Sequence, residues 1–287
     1  MQPRGIDHLV LAVHDLDAAG HFYEKLGFRV GTRNRHPWGT ENRIVQFPHI
    51  FLELITIGDN AEIVPHQDTV FSFGAFIKEY LAKREGFAML VLASDNAERD
   101  RDDFAKSGIG GFAPFDFKRQ GQRPDGSAVT VAFSLAFARD IQAPQIGYFV
   151  CQHHFPENFW NETAQSHPNH AKALTDIALY ADNPSDHAEF MSHFTGLRDY
   201  SATSTSISFA TRGAIHLYTK PAFTYFYGAH DLPEMAQLAA FSVSVENLDA
   251  LRSRLIEAAI PFHEINGSLI VPAHAAYGTA IRFTALV

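Results

Sequence analysis

A strand, a capped helix and three further strands recur four times along the 287 residues. That recurrence restricts the fold more than any other feature, because repeated supersecondary units must stack or pair to bury their apolar faces. In the first unit, Ile6 to Val13 is an apolar, β-branched run. Asp15 stands where its carboxylate can accept from the free amides of a first helical turn. Phe22, Tyr23 and Leu26 share one helical face, and Gly27 ends the helix. A short strand and then "NRIVQF" and "HIFLELITI" complete a βαβββ unit. The second unit opens with "GFAMLVLASDNAERDRDDFAKSG" (Gly86 to Gly108), and its later strands are predicted near 111–119, 128–138 and 146–152. "RPDG" at 123–126 is its hairpin turn signal. The third opens at Leu174 to Leu197 and the fourth at Ala239 to Ile260.

One such unit leaves a curved sheet with an uncovered face, whereas two can enclose a half-barrel cavity with helices outside. The predicted class is therefore α+β, four βαβββ modules paired into two half-barrel domains, residues 1–152 and 174–287. The stretch from His153 to Ala173 has poor periodicity and two prolines, and is the predicted linker. A second irregular stretch, Lys220 to Met235, is aromatic; it either lies over a pocket or packs between units three and four.

Composition narrows the function classes. With 46% hydrophobic residues the chain can bury a substantial core, yet no run approaches the ~20 apolar residues of a membrane span. The N-terminal apolar run alternates like a strand and lacks a small-residue cleavage site, so no signal peptide is expected. The single cysteine, Cys151, excludes an internal disulfide framework and fits a reducing, cytoplasmic setting. A net charge of −9 without a basic run argues against nucleic acid as partner. There is no phosphate-cradling glycine loop, CxxC pair or nucleophile elbow. The expected partner is a small molecule, with a homodimer left open. Twenty-five Phe suggest aromatic-lined cores or pockets, and sixteen His raise the question of a metal site.

The repeat, together with "DHLVLAVHDLDAA", "HPWGTENRIVQF", "FLELI" and "RPDGSAVTVAFSLAF", resembles the vicinal oxygen chelate superfamily and, within it, the glyoxalase-like domain family. The superfamily includes glyoxalase I, bleomycin-resistance proteins, methylmalonyl-CoA epimerase and extradiol dioxygenases. The resemblance implies metal ligands on the first and last strands of the units. In the first unit these positions are His8 and Glu53, donors that suit Zn²⁺, Fe²⁺, Mn²⁺ or Ni²⁺. In the second unit Met89 takes the place of His8. Its last strand ends in Gln152, His153 and His154, of which His153 would complete a His8–Glu53–His153 face. In two-domain extradiol dioxygenases the iron ligands fall at positions that here read Asp176, Ala240 and Arg282, a departure from that pattern. Asp176 and Arg282 are expected to form an ion pair filling a degenerate site, beside His216.

The resemblance also places "RHPWGTENRIVQF" (Arg35 to Phe47) at the rim of the first cavity. Arg33, Arg35 and His36 would bind an anionic or carbonyl group, Asn42 would donate and accept, and Pro37–Trp38–Gly39 would form a rigid turn and wall. His36 and Glu53 are the expected acid–base groups. Glu53 needs a metal, an arginine such as Arg43, or a proton as partner, because an unpaired buried carboxylate costs several kcal/mol. The leading expectation is a glyoxalase-like, metal-dependent enzyme acting on a small carbonyl or diol-like molecule by lyase, isomerase or dioxygenase chemistry. The alternatives are a non-enzymatic, bleomycin-resistance-like binding protein, an extradiol-type ring-cleaving dioxygenase, and a homologue without activity.

Overall fold

The computed structural model describes residues 2–122, 127–228, 232 and 235–286. The expected hairpin turn at 123–126 lies outside them. The first module comprises β1 (Ile6–Ala12), α1 (Leu16–Lys25), β2 (Asn34–Arg35), β3 (Thr40–Phe47) and β4 (Ile50–Ile57). A helix that the sequence pattern did not signal, α2 (Phe73–Leu81), leads to the second module. That module comprises β5 (Gly86–Ala93), α3 (Ala97–Lys106), β6 (Phe115–Gln122), β7 (Ala128–Ala138) and β8 (Gly147–His153). The third holds β9 (Ala171–Tyr180), α4 (Ala188–Thr195), β10 (Ser201–Ala202), β11 (Ser206–Phe209) and β12 (Ala214–Tyr218). After α5 (Lys220–Tyr227) come β13 (Gln237–Val245), α6 (Leu248–Glu257), β14 (His263–Ile265), β15 (Ser268–Val271) and β16 (Ala280–Ala285).

Among the described residues, sixteen strands form two curled eight-stranded sheets with identical topology. Sheet A runs β2-β3-β4-β1-β5-β8-β7-β6 and sheet B runs β10-β11-β12-β9-β13-β16-β15-β14. Within each module the first and last strands pair in parallel, and two modules meet through antiparallel first strands. Local chemistry sets the helix starts. The side chains of Asp15, Asn96 and Asn247 accept first-turn amides of α1, α3 and α6 at 2.9–3.1 Å, each cap contributing about 1 kcal/mol. The sheets' outer faces and α1, α3, α4 and α6 share one apolar core that spans both halves. The concave faces hold separate clusters, one closed by α2 and one by α5. The segment between β8 and β9 is also ordered against the body: Asn169 donates to the carbonyl of Leu26 at 3.0 Å, and Phe159 reaches the concave face of sheet A.

One irregularity recurs in all four modules. Each first strand carries an extra residue against its antiparallel neighbour: Asp7, Ala88, Thr175 and Ala239. Each precedes an equivalent position, namely His8, Met89, Asp176 and Ala240. A bulge re-aims a side chain that strict alternation would send to the other face, and in sheet A this decides the chemistry of the concave site.

Candidate functional site in sheet A

A cavity of about 90 Å³ opens on the concave face of sheet A. Its walls are largely aromatic, with Trp38, Phe51, Phe73, Phe117 and Phe149 prominent, and its polar groups are His8, His36, Asn42, Glu53 and Arg119. His8 and Glu53 come from the neighbouring parallel strands β1 and β4, where Glu53 pairs with Val10, two residues beyond His8. His8 Nε2 and Glu53 Oε2 stand 3.8 Å apart.

The bulge at Asp7 turns its carboxylate toward the same site. Asp7 Oδ2 accepts from His8 Nδ1 at 2.6 Å, and Asp7 Oδ1 meets His153 Nε2 at 3.1 Å. Burial alone would raise the Asp7 carboxyl, but the hydrogen bonds of His153 and His8 outweigh it and hold the group down at about 2. Asp7 is therefore anionic near neutrality and fixes the proton of His8 on Nδ1. The other ring nitrogen, Nε2, then faces Glu53. A ligating histidine is held in the same way by a carboxylate behind it. The His8 ring is further clamped by stacking on Phe51, with centroids 4.2 Å apart.

The turn before β3 supplies the opposite wall. Gly39 has φ +87, and a Cβ there would lie 2.7 Å from Ile63, so the turn needs glycine. His36 stacks on Trp38 at 4.6 Å, and Trp38 on Phe73 of α2 at 5.3 Å. His36 Nδ1 lies 2.8 Å from Thr40 Oγ1. Asn42 Nδ2 donates to Glu53 Oε1 and reaches His36 Nε2 at 3.3 Å. That pattern assigns the His36 proton to Nδ1 and leaves Nε2 an acceptor. Burial lowers the His36 pKa, partly opposed by Glu53 and reinforced by Arg119.

The structure thus brings His8, Glu53, His36, Trp38 and Asn42 together, and directs three other expected residues elsewhere. Alternation along β3 turns Asn42 and Ile44 to the cavity and Glu41 and Arg43 away from it. Glu41 draws both Arg33 and Arg35 to that outer side: Arg33 also reaches Asp17 at 2.9 Å, and Arg35 Nε lies 2.6 Å from Glu41. Arg43, considered as a cation for Glu53, instead pairs with Glu24 of α1 at 3.0 Å. His153 does turn inward, but its Nε2 meets Asp7 rather than completing a face with His8 and Glu53.

Two groups the sequence reading did not assign to the site are Asp7 and Arg119. The bulge hid the first, since alternation sets neighbours on opposite faces. Arg119 sits on β6, whose register carried no motif. Burial lowers its pKa, and Nη1 reaches Asn34 at 3.4 Å. Asp7, Cys151 and His153 also form a cluster whose donor atoms lie within 4.8 Å of one another. Burial, with Asp7 and Glu53 nearby, raises the Cys151 thiol pKa well above its ordinary value, so without a bound cation the thiol keeps its proton near neutrality.

In sheet B, Asp176 occupies the place of His8, but no ion pair within 4 Å joins it to Arg282. Ser242 donates to its Oδ1 at 2.7 Å and Tyr227 of α5 at 3.3 Å, while Arg282 Nε donates to Ser268 at 3.1 Å. Hydroxyls from adjacent strand and helix reach the carboxylate where a guanidinium was expected.

A glyoxalase-like domain family model matches residues 6–195. No curated protein sequence matches the chain. Among solved structures, a hypothetical protein from Staphylococcus aureus is 12% identical with TM-score 0.69, over 98% of this chain and 99% of that one. A mutant of 4-hydroxymandelate synthase from Streptomyces coelicolor is 12% identical with TM-score 0.61, over 99% and 93%. The Mn(II)-bound glyoxalase from Novosphingobium aromaticivorans is 12% identical with TM-score 0.52, over 99% and 82%. At such identities the likeness is one of fold. The extent of the family match, set on paired βαβββ modules, makes this chain a member of the glyoxalase-like domain family.

Proposed function

We propose that the concave cavity of sheet A is the site of a metal-assisted, glyoxalase-like reaction on the oxygenated end of a small molecule. The observation that carries this reading is the Asp7–His8–Glu53 arrangement. A buried anion orients His8 so that its free nitrogen meets a carboxylate inside an aromatic cavity. The donor set fits a divalent ion of the Mn²⁺, Fe²⁺, Zn²⁺ or Ni²⁺ type, held by His8 Nε2 and Glu53. Such an ion, when bound, supplies Lewis-acid stabilisation of enediolate-like charge. One of the similar folds is a Mn(II)-bound glyoxalase.

The chain's own residues do the rest. Asn42 holds one oxygen of Glu53 and leaves the other toward His8. Arg119 attracts an anionic or carbonyl end. The acceptor nitrogen of His36 takes a proton from, or orients, a substrate hydroxyl. At about 90 Å³ the cavity is smaller than the ~150 Å³ that admits one benzene ring. Only the short oxygenated end of a substrate enters, and a bulkier body stays at the mouth.

Calorimetric titration with Mn²⁺, on protein purified without chelator or metal-affinity tag, tests the reading. The parent should bind one ion, and His8→Ala and Glu53→Gln should each abolish binding. If the parent binds none, or both variants bind like the parent, the metal-assisted reading fails. The second reading, a metal-free binding protein, draws on the commitment of His153 to Asp7 and the presence of Met89 in a ligand position.

A further inference from the structure

A second and larger cavity, about 670 Å³, lies where the two halves of the molecule meet. Phe76, Glu79, Tyr80 and Lys83 line it at helical spacing along and just beyond α2, whose Phe73 lines the concave site instead. Gln145 to Tyr148, leading into β8, and Met235 to Gln237, leading into β13, contribute from sheets A and B. The volume is typical of small-molecule sites, which favour such junctions.

Its polar atoms are unusual. Buried polar groups are almost always paired. Yet Arg84 Nη2, the Tyr148 hydroxyl, Gln145 Oε1 and Gln237 Oε1 are all buried without a hydrogen-bond partner, and all four residues line this cavity. Gln145 Nε2 donates to the Ala236 carbonyl, which fixes its oxygen as the free end. The charge balance is also one-sided: Lys83, Arg84 and Arg139 face Glu79, and among the described residues none of the three cations forms an ion pair within 4 Å. The Arg84 guanidinium lies over Tyr80 at 5.0 Å, and that of Arg139 over Phe112 at 5.1 Å. Guanidiniums stacked in this way keep their in-plane N–H groups for an anion.

We propose that this junction cavity binds an organic anion with a flat apolar body. The carboxylate, sulfonate or phosphate head sits at Arg84 and Arg139. The site shares no residue with the concave cavity, so it stands or falls separately from the metal-assisted reading. The probe is 8-anilinonaphthalene-1-sulfonate, which carries an anionic head, two aromatic units and one N–H; its neutral comparator is N-phenyl-1-naphthylamine. In fluorescence titration the sulfonate should bind with one-to-one saturation. Arg84→Gln and Arg139→Gln should each weaken it by at least about tenfold, the neutral dye should bind more weakly by a similar factor, and His8→Ala should bind like the parent. Arg139 is exposed, so its variant decides the matter if Arg84→Gln melts early by circular dichroism. Absence of saturable binding, equal binding by Arg139→Gln, equal binding of the neutral dye, or loss of binding in His8→Ala would each overturn the proposal.

Discussion

The concave faces of sheets A and B are built on one backbone plan, and they end in opposite states. In both, a bulged residue precedes the key position of the first strand: Asp7 before His8, Thr175 before Asp176. In both, that bulged side chain bonds its neighbour, Asp7 to His8 at 2.6 Å and Thr175 to Asp176 at 2.9 Å. The fourth strand adds Glu53 in one half and His216 in the other, in matching register. The difference lies in which partner is charged and what the bridging helix inserts. In sheet A an anionic Asp7 sits behind an imidazole and leaves a free nitrogen in the cavity, while α2 contributes Phe73 to the wall. In sheet B the acid itself occupies the front position, and α5 drives Tyr227, 1% exposed, onto it. Placing the acid at the front position, with a neutral hydroxyl rather than an imidazole beside it, turns a presented donor into a satisfied acceptor.

Emptying sheet B should have the largest effect. Tyr227→Ala removes a fully buried ring and a hydroxyl from Asp176, so a loss of about 3–5 kcal/mol is expected in urea unfolding. If the comparison holds, the destabilised variant also exposes Asp176 to small ligands that the parent excludes. A loss below about 1 kcal/mol would mean that α5 is not what closes this face.

Neutralising the bulged acid comes next. Asp7 is held at about 2 against its ordinary 3.8, which corresponds to about 2 kcal/mol of stability near pH 7. The folded value is the depressed one. The contribution is therefore complete above about pH 4 and is lost as pH falls toward 2. Asp7→Asn should cost about 2 kcal/mol at pH 7 and lack that acid limb. The counterpart Thr175→Val, which removes one neutral hydrogen bond, should cost about 1 kcal/mol with no change in the acid limb. Equal losses in the two variants would remove the asymmetry on which the comparison rests.

These devices differ in how far the sequence reveals them. The βαβββ repeat was legible because strand alternation, Asp and Asn caps and terminal glycines are local signals, and each is physically complete within a few residues. His8, Glu53, His36, Trp38 and Asn42 could be placed together by resemblance to a fold whose strands converge. Arg33 and Arg35 could not be placed correctly, because their destination depends on Glu41 and on which face of an edge hairpin turns outward. Asp7 was invisible for a related reason: an alternating pattern sends it away from His8, and only pairing with β5 creates the bulge that brings it back. Helix α2 escaped notice because it lies between the first two recurring units, where the βαβββ pattern places no element, although its buried residues Phe73, Ile77, Tyr80 and Leu81 keep a one-faced helical spacing. The ion pair expected between Asp176 and Arg282 failed because hydroxyls from Ser242 and Tyr227, distant in sequence, reach the carboxylate first.

The smallest expected effect concerns the two histidines that the halves hold in parallel surroundings. Burial lowers the pKa of both His36 and His216. Each is pulled back up by one carboxylate, Glu53 or Asp176, and pushed down further by one arginine, Arg119 or Arg282. Both rings should therefore titrate below 6.5 in NMR spectra of the ring protons. Arg119→Gln should raise His36 and leave His216 alone, and Arg282→Gln should do the reverse. Because the folded values are the lowered ones, each neutral ring favours folding above about pH 6.5, and that contribution falls away as pH drops through the folded value. The halves should part on adding a ligand. His36 Nε2 faces the cavity beside Glu53 at 4.0 Å, whereas His216 Nδ1 is bonded to Ser208 at 2.8 Å within its own sheet. A small oxygenated anion that enters sheet A should move the His36 titration and not that of His216. Equal movement of both, or a His36 that titrates above 6.5, would show that the two concave faces are not the open and closed versions of one design.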